Sequence, residues 1–166
     1  MSMSMFPDDV SASARDVLAI CAKAGLRVAV AESCTGGLLA ACLTAIPGSS
    51  QVVERGFVTY TNAAKSDLLG VPEALFSSVG AVSEEVARAM AAGALAHSAA
   101  DVSAAVTGIA GPGGATPDKP VGLVHLAAAC AGGAALHERH VFTGDREAVR
   151  LGAVRAALDL LKHLAD

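Results

Sequence analysis

Residues 26–46, LRVAVAESCTGGLLAACLTAI, change hydrophobic pattern in the middle. Up to Glu32 the run is short, β-rich and nearly all apolar, as in a strand buried on both faces. From Gly36 to Ile46, Leu38, Leu39, Cys42 and Ile46 recur at helical spacing. A buried strand that turns directly into a buried helix leads to an α/β fold, because each element needs an apolar partner layer.

The rest of the chain repeats the alternation. Residues 8–24 read as a helix with Val10, Ala14, Val17, Leu18 and Cys21 on one face, stopped by Gly25. A strand follows over 51–61, then a helix over 63–69 capped by Asn62, and a short helix after Pro72. Ser83 caps the next helix, with Glu84 and Glu85 in its first turn, where the helix dipole favours them. Residues 101–108 form a strand that runs into the glycine-rich loop GIAGPGGATPDKP. VGLVHLAAAC and AALHERHVF pair as a hairpin around Gly132 and Gly133. The last helix, 144–164, buries Leu151, Val154, Leu158 and Leu161. The expected architecture is a three-layer α/β/α sandwich on a mixed sheet, parallel in its first part. Residues 8–166 form one domain, and residues 1–7 a disordered extension.

Composition narrows the function. The net charge is −4, aromatic residues make up 3% and Trp is absent, which argues against a nucleic-acid surface. No stretch approaches the roughly 18 apolar residues of a membrane span. Met1 to Phe6 lack the basic and apolar regions of a secretory signal, so a cytoplasmic location is expected. Cys21, Cys34, Cys42 and Cys130 form no C-x-x-C and read as free thiols. His137 and His140 lie three apart in a strand and face opposite sides, so no metal site is expected.

Ligands of open α/β sheets bind beyond the carboxyl ends of the strands. Three segments fall there: Ser33, Tyr60 to Lys65, and Thr107 to Gly114. Ser33 on a strand-to-helix turn is either an exposed nucleophile or a plain N-cap. Gly36 and Gly37, placed in the first helical turn, each cost roughly 1 kcal/mol relative to alanine. Bare N–H groups facing an anion would offset that cost. Lys65, in the first turn of its helix, is either solvated surface or a base whose pKa the dipole lowers. Tyr60 is core or a pocket residue. Thr107 is a strand threonine or a hydroxyl that orients Lys65 or substrate. Cys34 lacks a neighbouring histidine and is packing rather than a rival nucleophile. Arg146 and Arg150 pair with Asp145 or Glu147, or they hold a phosphate.

The motifs AESCTGG, TYTNAAKSDLLGV, GAVSEEVARAMA, AVTGIAGPGG, KPVGLV and TGDREAVR occur in this order. Together, over residues 8–163, they resemble the CinA C-terminal family, the nicotinamide-nucleotide amidohydrolases related to competence/damage-inducible proteins. The resemblance implies an α/β/α fold and hydrolysis of the carboxamide of nicotinamide mononucleotide to nicotinic acid mononucleotide and ammonia. It implies no metal and no cofactor. It makes Ser33 the nucleophile and Lys65 the general base, supported by Tyr60 and Thr107. Backbone groups around Cys34, Thr35, Gly36 and Gly37, with Gly108, Gly111 and Gly113 of the glycine-rich loop, would hold the substrate, and Arg146 its phosphate. Many relatives carry a further N-terminal domain resembling molybdopterin-binding proteins. This chain is expected to lack it, so its pyrophosphatase chemistry does not transfer. Leu123 stands where a Thr is more usual. The expected partner is a small mononucleotide, with no nucleic acid and no membrane, and a homo-oligomer is expected. The alternative is a nucleotide-binding module without turnover. A purely structural alanine-rich domain ranks last, because it gives Gly36, Gly37 and Lys65 no role.

Overall fold

The computed structural model describes residues 4–166. In chain order the elements are α1 (Asp8–Ala24), β1 (Val28–Glu32), α2 (Leu38–Thr44), a 3-10 turn (Ser49–Gln51), β2 (Val53–Val58) and α3 (Asn62–Leu69). Then come α4 (Glu73–Ser78), α5 (Glu84–Ala96), β3 (Val102–Gly108), β4 (Leu123–Cys130), β5 (Ala135–Val141) and α6 (Arg146–Ala165). The five strands form one sheet in the order β2-β1-β3-β4-β5. β1 pairs in parallel with β2 and β3, whereas β4 and β5 add antiparallel.

Strand alternation sorts the core into two layers. Val28 and Val30 of β1, Val102 and Val106 of β3, and Val124 and Leu126 of β4 pack against α1, α2 and α6. The opposite face is built from small residues, Ala29, Ala31, Ala105, Ala127 and Ala129, and receives α5. Alanine on the sheet lets α5 lie close, and Ser103 donates from the sheet to the Ala91 carbonyl at 2.7 Å. No helix among the described residues is long and apolar enough to cross a membrane.

Several boundaries differ from the sequence reading. Leu26, Arg27 and residues 51–52 lie outside the strands, and 49–51 form a 3-10 turn after Gly48. Thr61, not Asn62, caps α3, its hydroxyl accepting the Ala64 N–H at 3.1 Å. Leu38, Ile46 and Leu151 are only partly buried, and Leu43 takes the inward position on α2. Of the expected extension over 1–7, residues 1–3 lie outside the described residues. Phe6 is buried in the core beside Val10, and the Pro7 carbonyl accepts from Ser11 N–H at 3.0 Å.

Gly93 in mid-α5 marks where this helix meets α3. A Cβ there would overlap the Leu69 carbonyl. Gly93→Ala is therefore expected to destabilise by about 2–3 kcal/mol, although alanine is the better helix former. A thermal melt should show Tm lowered by roughly 5–10 °C. An unchanged Tm would mean that α3 and α5 are not in this contact.

Candidate active site

The parallel strands β2, β1 and β3 end on the same side of the sheet. Their ladder continues past the strand ends: Thr59 N–H donates to the Glu32 carbonyl at 2.8 Å, and Ser33 N–H to the Val106 carbonyl at 3.0 Å. The three segments singled out in the sequence are thereby brought together. They line a cleft of about 280 Å³ with Ser33, Lys65 and Thr107 in it and Arg146 and Tyr60 at its edge.

Lys65 is the unusual residue. It lies in the first turn of α3 yet is 1% exposed. Its Nζ is 3.0 Å from Ser33 Oγ, 3.1 Å from the Thr59 carbonyl and 3.4 Å from the Tyr60 carbonyl. Among the described residues no carboxylate pairs with it. Burial pushes its pKa below the ordinary 10.5, because an ammonium loses hydration there and gains no counter-charge. The principal cause is desolvation, where the sequence had suggested the helix dipole. Two carbonyls accept two of the nitrogen's hydrogens, which leaves the third direction for Ser33.

Cys34 lines the same cleft but packs into the core. Burial raises its thiol pKa to about 11, so it stays protonated and weakly nucleophilic at neutral pH.

The turn after Ser33 is not built as the sequence suggested. Gly36 and Gly37 precede α2 and have φ of +57° and +98°. Glycine is needed for this left-handed backbone, so it carries no helix penalty there. The first amides of α2 face a carboxylate of the chain itself. Leu39 N–H and Ala40 N–H donate to the two carboxylate oxygens of Glu32, at 2.8 and 3.0 Å. Gly36 N–H closes the turn onto the Ser33 carbonyl at 3.0 Å. Thr35 is fully buried, and Thr35, Gly36 and Gly37 do not line the cleft. In this structure they shape the turn that carries Ser33.

Glu32 was not recognised as a site residue. The signal was available: a carboxylate ends an apolar strand seven positions before Leu39, where helix amides need acceptors. Glu32→Ala would leave two N–H groups without an acceptor, and a cost of about 2–4 kcal/mol is expected in urea unfolding. A loss under about 1 kcal/mol would show that water replaces the carboxylate.

The remaining candidates divide. Thr107 lines the cleft, but its hydroxyl donates to the Ala81 carbonyl at 2.8 Å and does not orient Lys65. Tyr60 is 56% exposed, so it is not core. Its hydroxyl accepts from Arg146 Nη2 at 2.9 Å, while Arg146 Nη1 donates to the Gly111 carbonyl at 2.8 Å. Arg146 thus spans the cleft edge, joining the loop after β2 to the loop after β3. Gly108 lines the cleft, yet its lack of side chain is required by β4, since a Cβ would meet Val124 and the Leu123 carbonyl at 2.7 and 2.8 Å. Gly111 and Gly113 line the cleft as expected from the loop, and nothing lies within 4 Å of a Cβ at Gly113. Asn62, Ile109, Ala110 and Gly114, from the segments the sequence singled out, complete the lining with Ala81 and Val82, which were not anticipated.

Arg150 is not in the cleft. Its guanidinium donates through Nε to the Cys34 carbonyl at 3.2 Å and through Nη2 to the Thr35 carbonyl at 3.0 Å. Neither Arg146 nor Arg150 pairs with Asp145 or Glu147, and Asp145 instead caps α6 at Ala148 N–H. A larger cavity of about 560 Å³ lies beyond Arg146, between residues 5–7 and the start of α6, and contains neither Ser33 nor Lys65.

Comparison with known proteins agrees with this architecture. The family model described as the CinA C-terminal domain matches residues 10–165. A Pseudomonas putida protein named nicotinamide-nucleotide amidohydrolase PncC is 55% identical over 138 residues, covering 83% of this chain and 86% of that one. A CinA-like protein of Anaeromyxobacter sp. strain Fw109-5 is 50% identical over 95% of this chain, which spans only 40% of that longer relative. The crystal structure of a competence/damage inducible protein, CihA, from Agrobacterium tumefaciens superposes with a TM-score of 0.97 at 51% identity. It covers 99% of this chain and 100% of that one. The chain belongs to the CinA C-terminal domain family.

Proposed function

We propose that the protein hydrolyses the carboxamide of nicotinamide mononucleotide, releasing ammonia and nicotinic acid mononucleotide through Ser33 and Lys65. The observation that carries this reading is the buried Lys65 amine 3.0 Å from the Ser33 hydroxyl at the floor of a cleft. The relative named as a nicotinamide-nucleotide amidohydrolase supports the substrate.

In this mechanism neutral Lys65 accepts the Ser33 proton. Its two N–H bonds to the Thr59 and Tyr60 carbonyls aim the lone pair at Oγ. Ser33 Oγ attacks the carboxamide carbon and forms a tetrahedral oxyanion. On collapse the C–N bond breaks, and the nitrogen takes the proton from Lys65 and leaves as ammonia. Lys65 then deprotonates a water, which attacks the acyl carbon; the C–Oγ bond breaks and Lys65 returns the proton to Ser33. Arg146 at the cleft edge keeps N–H donors beyond those on Gly111 and Tyr60, and it is the cation nearest to hand for the substrate phosphate.

The test is incubation of purified protein with nicotinamide mononucleotide. Ammonia and nicotinic acid mononucleotide should appear in equal amounts. Folded protein that binds the nucleotide and forms neither product would overturn the amidohydrolase and favour a nucleotide-binding module.

A further inference from the structure

We propose that Arg150 is a positioning residue for the nucleophile: its guanidinium clamps the two carbonyls that follow Ser33 and so holds Ser33 Oγ on Lys65. This rests on the amidohydrolase reading and deepens it. The sequence had offered Arg150 as a phosphate holder, but the side chain lies outside the Ser33 cleft and lines, with Arg146, the larger cavity beside it. Two adjacent N–H groups of a rigid fork meet two consecutive carbonyls, those of Cys34 and Thr35. The Thr35 carbonyl also accepts Leu38 N–H at 3.0 Å.

The turn needs such a clamp. Gly36 and Gly37 give it little intrinsic stiffness. A Cβ at Gly36 would lie 3.4 Å from Arg150 Nη2, so the guanidinium rests against bare backbone. The clamp comes from α6, 116 residues away in sequence from Cys34, and it ties the turn to the helical layer opposite α5. A shift of about 1 Å between reacting groups can reduce a rate by about a hundredfold.

Arg150→Met should therefore lower kcat for ammonia release by roughly 30–100-fold. KM should stay within about twofold, as should the dissociation constant of nicotinamide mononucleotide in the Ser33→Ala background. Arg150→Lys, whose ammonium is a point donor rather than a fork, should fall between, at about tenfold. This second variant decides the matter if Arg150→Met does not fold. A weakened dissociation constant with kcat retained would overturn the clamp in favour of phosphate binding. Full kcat with only a lowered Tm would overturn it in favour of a structural tie. Wild-type protein that releases no ammonia would instead overturn the amidohydrolase reading, and the kinetic role of Arg150 with it.

Discussion

Ser33→Ala is expected to lower kcat for ammonia release by about 10³–10⁶-fold while leaving the protein folded and able to bind nicotinamide mononucleotide. The hydroxyl supplies the only proposed covalent bond to the substrate, and no second nucleophile is ready. Cys34 is adjacent, but burial keeps its thiol pKa at about 11. The change removes one small polar atom from a residue 9% exposed, and Lys65 keeps its two carbonyl acceptors. Stability should change by less than about 1 kcal/mol. The checks are product formation under single-turnover conditions and a urea melt. Retention of more than a tenth of the wild-type rate would remove Ser33 from the mechanism.

Lys65→Met should reduce kcat by about 10²–10⁴-fold and abolish the acid limb of the pH profile. A base must be neutral, so wild-type kcat/KM should climb as pH rises through the Lys65 pKa, which burial holds below 10.5. Stability moves with the same group. Between its folded and unfolded values the unfolded chain binds more protons, and stability rises with pH wherever that is so. The penalty for burying the ammonium is fully present below the folded pKa. It fades as pH rises toward the unfolded value of about 10.4. Urea unfolding of wild type should therefore gain on Lys65→Met across that window. A rate limb at or above 10.5, or a gap between the two proteins that is flat with pH, would show that Lys65 is not desolvated.

The strand–helix alternation was legible because each run carries its own period, and turn residues such as Gly25 and Ser83 mark the borders. The clustering of Ser33, Lys65 and the loop after Thr107 was legible for a topological reason: parallel strands deliver their ends to one side. What escaped depends on contacts made across the chain. Arg150 reaches the Ser33 turn over a separation that no local pattern encodes, and Thr107 turns to Ala81 because the segment leading into α5 arrives there. The dipole was a local reason for a lowered Lys65 pKa, whereas the burial that lowers it requires β1, β2 and α3 to have packed. Gly36 and Gly37 looked like costly helix residues because their positive φ is invisible in sequence. Thr61 and Asn62 both suit an N-cap, and one residue of register decided between them.

The pairing of β1 with β2 has a consequence for when activity appears. Ser33 and Lys65 follow neighbouring parallel strands and meet only when Glu32 sits opposite Val58. A parallel pair cannot form by a simple hairpin and needs its crossover in place first. Until then Ser33 is an ordinary alcohol and Lys65 an ordinary solvated ammonium. On the proposed mechanism, reactivity is therefore a property of the finished sheet.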